Sequence, residues 1–159
     1  MRSFRSMRNV KKCGLAGGLL SAAALIPCLA IAALGEPEAS VQTDLAELHG
    51  SIKVAEHANY RVHEIQLPSG TVVREYSGSD GTVFAVAWQG PTVPNLRQTL
   101  GRYFDNYVTA AQANRMGHHH LQINQGGLVV HAAGHMRAFS GRAYLPQAVP
   151  SGVSVGDLH

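Results

Sequence analysis

Nine histidines stand out in a chain of 159 residues, and three are consecutive: His118, His119 and His120. His131 and His135 lie in the next segment. If these segments are adjacent antiparallel strands, either sensible hairpin register puts even positions of the first on the same face as odd positions of the second. Leu121, Ile123, Leu128 and Val130 then face a core, while His118, His120 and His131 share the opposite face. His135 joins them if the second strand continues. Neutral imidazoles converging from two strands are what a zinc or copper site needs. No carboxylate or thiolate lies close in sequence to complete the set. The competing readings are a solvated polar sheet face, or a histidine cluster that responds to pH.

A second pairing comes from strand register. A three-residue loop at Pro68–Gly70 sets Ile65 opposite Val73, Glu64 opposite Arg74 and His63 opposite Glu75. A two-residue loop would instead oppose Glu64 and Glu75, which like-charge repulsion disfavours. A His–carboxylate pair can act as general base and orienter, though a structural ion pair is the plainer reading. No nucleophile completes it. Ser69 and Ser79 sit in Gly-containing turns without a G-x-S-x-G elbow, and neither a Walker loop nor a dinucleotide fingerprint is found outside the N-terminal apolar run. These observations weigh against catalysis and supply no catalytic or organic-cofactor residue. Arg137 and Arg142 flank Phe139. Arginine suits carboxylate or phosphate recognition, with salt bridging on an exposed strand as the alternative.

The elements that would position these residues follow from periodicity. Ser40 is a candidate N-cap for a short helix through Val41, Leu45 and Leu48, ending before Gly50. Strands are expected at Tyr60–Leu67, Thr71–Tyr76 and Thr82–Trp88, with Ile65, Leu67, Val73, Phe84, Val86 and Trp88 on one face and Val83, Ala85 and Ala87 on the other. Leu96, Leu100, Tyr103, Phe104, Tyr107 and Ala111 then mark one amphipathic helix from Asn95 to Ala111, with Gly101 as its weak point. Further strands follow at His118–Asn124, Leu128–Ala133 and Met136–Leu145. The expected fold is α+β: an antiparallel meander sheet, or two, covered by one main amphipathic helix and a short N-terminal helix. Residues 147–159, rich in Pro, Gly and Ser, are expected to form a mobile C-terminal tail. The domain itself would span 33–146. Many aromatic residues belong to its core, and an exposed subset could line a groove for a peptide, glycan or lipid.

The N-terminus reads as an export signal. Residues 1–12 carry five basic residues and no acid, an uncharged apolar run extends from Cys13 to Leu34, and Ala30-Ile31-Ala32 has the small residues that a signal peptidase requires. Cleavage after Ala32 is expected to leave an exported, periplasmic domain. A retained leader would be long enough to span a bilayer and act as an anchor. Cleavage removes both cysteines, Cys13 and Cys28, and leaves 8 Lys plus Arg against 10 Asp plus Glu. The formal +3 of the whole chain therefore belongs to the leader. It argues for no nucleic-acid partner. A domain without cysteine must be held by its core alone.

Three stretches carry more than composition: Leu67–Tyr76 (LPSGTVVREY), Phe84–Pro91 (FAVAWQGP), and Gly134–Phe139 (GHMRAF) leading to Gly141–Pro146 (GRAYLP). With the leader, they resemble a family of small exported Gram-negative bacterial proteins defined as domain of unknown function 2844. The resemblance covers roughly Leu34 to Leu158. It implies export and one compact domain, and it assigns no catalytic residue. The expected function is an exported cell-envelope binding or accessory module, with an envelope protein or small ligand as partner. The alternative is a metal-binding protein that holds zinc or copper through His118, His120 and His131.

Overall fold

The structure, a computed structural model, describes residues 34–113 and 120–159. The leader and His118 and His119 lie outside them. Among the described residues, seven strands form one antiparallel sheet: β1 (Ser51–Glu56), β2 (Tyr60–Gln66), β3 (Val72–Gly78), β4 (Val83–Gly90), β5 (His120–Gln125), β6 (Leu128–His135) and β7 (Ala138–Tyr144). Their order is β1-β2-β3-β4-β7-β6-β5. Two meanders, β1–β4 and β5–β7, are thus welded into one α+β sheet through the β4–β7 ladder. The first meander has a strand that the periodicity does not announce. β1 is an edge strand, mostly exposed, so its residues lack the apolar alternation that burial imposes.

The α-helices pack on one face, and a 3₁₀ turn at Val155–Asp157 lies on the other. A 3₁₀ turn (Glu38–Ser40) runs into α1 (Val41–Leu48). Ser40 does not cap it: this residue is already helical and its hydroxyl donates to the Pro37 carbonyl instead. The chain from Asn95 starts as expected, the Asn95 side chain accepting from the Gln98 N–H. It is not one uninterrupted helix. α2 (Leu96–Leu100) stops at Gly101, whose φ of 48° and ψ of −124° lie outside helical space, and α3 (Phe104–Ala113) begins after one 3₁₀ turn. Glycine alone takes such a backbone without strain. Leu96, Tyr103, Phe104, Tyr107, Ala110 and Ala111 nevertheless all pack on the main core, with Leu34, Val41, Ile65, Val73, Val86, Trp88, Leu100 and Val130.

The β2–β3 hairpin has the expected register, with Ile65 opposite Val73, Glu64 opposite Arg74 and His63 opposite Glu75. The β3–β4 ladder differs at one point. A bulge at Tyr76/Ser77 brings Ser77 opposite Val83 and shifts the alternation. Val83 therefore joins the helix-covered core, and Phe84 turns to the second face, reversing the expected placement of both. There Phe84 contacts Tyr60 edge-on at 6.3 Å between ring centroids and lies 6.3 Å from Tyr76.

Residues 147–159, where composition predicts a mobile tail, run across this second face. Leu158 is buried against Tyr76, Phe84, Ala85 and Ala87. The Arg142 guanidinium donates to the Val155 carbonyl at 2.8 Å, and Arg74 and Tyr76 donate to the main-chain oxygen of His159 at 3.0 and 3.1 Å. Arg74 and Arg142 both stand opposite Ala87 in the ladder, so two arginines clamp the last five residues over a small side chain.

Candidate functional site

The ladders align side chains of the second face in rows that cross the sheet. One row reads His120–Ala133–Ser140–Gln89 over β5, β6, β7 and β4. The next reads Gln122–His131–Arg142–Ala87 and continues to Arg74, Glu64 and Lys53. Each row spans four strands, about 14 Å, before reaching the β3 half of the sheet. On the β5–β7 half these rows are polar and carry no acid, whereas their continuation holds the Arg74–Glu64 ion pair at 2.9 Å.

Two adjoining cavities among the described residues meet on the first row. One of about 1100 Å³ includes Gln122, His131, Arg142, Leu158 and His159 in its walls, and it also reaches Trp88, Ala110, Ala113, Leu121 and Ile123 on the helix-covered side, so only part of it lies over the second face. The other, about 630 Å³, runs past Gly134, His135 and Arg137. Gln89, His120, Ala133 and Ser140 border both. Ala133 and Ser140 are the small residues of that row, so His120 and Gln89 at its two ends stand over a low floor. On the opposite face, Gly141 lets the Trp88 indole lie directly against the β7 backbone, where any Cβ would collide with the ring.

His120 and His131 share this face, as strand geometry predicts, on adjacent strands and one row apart. Diagonal neighbours of this kind lie about 7–8 Å apart, within reach of a shared ion for two imidazoles. His118, the third expected ligand, lies outside the described residues. Among the described residues no group of three histidine, cysteine or acidic side chains is placed to hold a metal ion. His131 also stands directly opposite Arg142 and stacks at 6.5 Å on Tyr144.

The His63–Glu75 pair lies elsewhere, under the N-terminal segment. Both residues are buried, and His63 Nε2 donates to Glu38 Oε1 at 2.9 Å. Arg61 donates to both oxygens of the same carboxylate, at 3.1 and 2.9 Å. Burial works to raise the Glu38 pKa, but the Arg61 and His63 contacts outweigh it, and the carboxyl is held below its ordinary value. The Ser77 hydroxyl is fully buried, 3.5 Å from the same His63 nitrogen that meets Glu38. One ring nitrogen facing both partners cannot relay a proton between them, unlike a serine–histidine–acid triad, which uses both nitrogens. Neither cavity is lined by His63 or Glu75. The cluster reads as a structural pin for the segment that carries Glu38.

His120, His131 and Arg142, singled out by type and spacing, fall on these rows. Sequence reasoning missed Gln122, which carries no signal beyond its place on a strand, and Gln89 and Ser140, whose place follows only from the β4–β7 ladder between segments some fifty residues apart. It also missed Glu38, which reaches His63 from a 3₁₀ turn with no periodic signal.

No curated protein and no solved structure matches the chain. A sequence model described as "Protein of unknown function (DUF2844)" matches residues 30–158. That match takes in every described strand and helix, and the chain belongs to this family of proteins of unknown function.

Proposed function

We propose that the protein is an exported, non-catalytic binding module of the cell envelope, whose ligand occupies the polar half of the second sheet face. The observation that carries this reading is the meeting of two cavities over the row His120–Ala133–Ser140–Gln89. Ligand sites are concave and carry a few convergent polar groups. Export is supported by the basic and then apolar sequence of residues 1–34 and its Ala30-Ile31-Ala32 end. No helix among the described residues is long and apolar enough to cross a membrane.

The test is co-sedimentation with isolated envelopes of a Gram-negative bacterium. The wild-type chain pellets with them, and Ala133→Trp, which fills the floor of the groove, stays in the supernatant. Equal behaviour of both proteins would contradict the reading. The intact mass of the exported protein tests the leader, with loss of residues 1–32 expected.

A second reading, zinc or copper held by His118, His120 and His131, is favoured by the shared face of the latter two. Calorimetric titration of metal-stripped protein separates them. One ion per chain, bound more tightly than about micromolar (around −8 kcal/mol) and lost in the triple alanine variant, supports a metal site. Weak binding of several ions contradicts it.

A further inference from the structure

Charge is divided unevenly along the chain. Residues 34–105 contain nine acidic residues against five Lys plus Arg, whereas between Asp105 and Asp157 there is no acid, and there are three arginines and five of the nine histidines. The second segment builds β5, β6 and β7, so the half-sheet that carries the groove has no carboxylate of its own. The nearest acid on the second-face rows, Glu64, stands beyond Ala87 and Arg74 and is paired with Arg74 at 2.9 Å. Asp157, in the overlying tail, is exposed.

Arg142 uses one nitrogen on the tail carbonyls of Val155 and Gly156. Among the described residues its other N–H groups have no protein partner, and no carboxylate pairs with it. A half-buried guanidinium without a counter-ion is a recognition group for a planar anion. Its neighbours in the groove, Gln89, Gln122 and Ser140, have side chains that both donate and accept, as a sugar hydroxyl does. The groove is also too long for a single small anion, because the two cavities that meet on the first row extend it from Gln122 and Arg142 to Gly134 and Arg137.

We infer that the occupant of this groove is a carboxylate-bearing oligosaccharide, its acid group received by Arg142 with His120 and His131, and its hydroxyls by Gln89, Gln122 and Ser140. This rests on the binding-module reading above and names its ligand class. A cationic metal in the same place would meet the Arg142 charge, whereas an acidic sugar is drawn to it.

The test is calorimetric titration with four probes: a uronic-acid tetrasaccharide, its methyl ester, a tetraglutamate peptide and inorganic phosphate. The acid tetrasaccharide is expected to bind, and its ester to bind weaker by about tenfold or more, the loss expected for a hydrogen bond to a charged group. Arg142→Met should lose affinity by a similar factor. Because Arg142 also holds the tail, His120→Glu serves as a second variant: it sits at an exposed position on β5, two strands away from Arg142, and places a like charge on the row. It too should weaken the acid tetrasaccharide, with an unchanged melting temperature. Equal binding of ester and acid, or tighter binding of tetraglutamate or phosphate, would overturn the acidic-sugar assignment. So would failure of every probe with a chain that still co-sediments with envelopes. Failure of co-sedimentation itself would strike the binding reading instead, so the two are separable.

Discussion

At the scale of the residue, Glu38 is where the fold ties a non-periodic segment to the sheet. Its carboxylate meets Arg61 at 2.9 Å and the buried His63 at 2.9 Å. Because its folded pKa lies below the ordinary carboxylate value, its contribution is complete above that value and lost as pH falls through the folded one. Stability should therefore decline on acidification through the carboxylate range. Glu38→Gln should be less stable than wild type at pH 7 and should flatten that decline, as read by urea denaturation at several pH values. An unaltered pH profile would show that the pair adds nothing. The His63–Glu75 juxtaposition was legible in the sequence because one turn and one charge argument fix the β2–β3 register. The third member, Glu38, was not. It arrives from a turn where neither alternation nor helical spacing marks what a side chain will touch.

At the scale of the element, glycine and a bulge decide where side chains go. Trp88 lies against the β7 backbone at Gly141, so Gly141→Ala forces the indole to move. Overpacking of this kind costs about 1–3 kcal/mol, which should appear as a lower denaturation midpoint with an unchanged urea m-value. The bulge at Tyr76/Ser77 sends Phe84 to the second face, where Leu158 and the tail cover it. Removing residues 155–159 exposes Ala85, Ala87 and Phe84 and should destabilise the domain, with a gain in binding of a hydrophobic dye. No change in either would mean that the tail is not bound to the sheet in solution. Strands β2 to β7 were legible from alternation and turns. The bulge was not, because it adds a residue without disturbing the apolar run Val83–Trp88 on which the reading rests. A similar limit applies at Gly101: the apolar spacing continues across it, so the sequence pattern reads as one helix while the backbone breaks in two.

At the scale of the whole molecule, the sheet has one helix-covered face and one face divided between the tail and an open groove that carries a few polar side chains. The α+β class follows from the alternation of periods 2 and 3.6 along the chain. What joins the two meanders is the β4–β7 ladder, a long-range pairing with no local signature, and the groove exists only because of it. This explains why His120 and His131 could be placed on one face from sequence, while Gln89 and Ser140 could not be placed beside them. The charge asymmetry has a whole-molecule consequence as well. Attachment to envelopes through an acid-free half-sheet should weaken as salt is raised, because exposed charges are screened over about 8–10 Å at 0.1–0.15 M salt. Salt-independent retention would point to an apolar contact elsewhere.

Amide hydrogen exchange, measured for the chain alone and with isolated envelopes, tests the central claim most directly, since it reports which face is covered without a variant or a chosen probe. Added protection within β5–β7 and residues 155–159, with β1 and β2 unchanged, is the predicted result. Protection confined to β1, β2 or α1, while the chain still sediments with the envelopes, would contradict it and move the binding surface to the opposite end of the sheet.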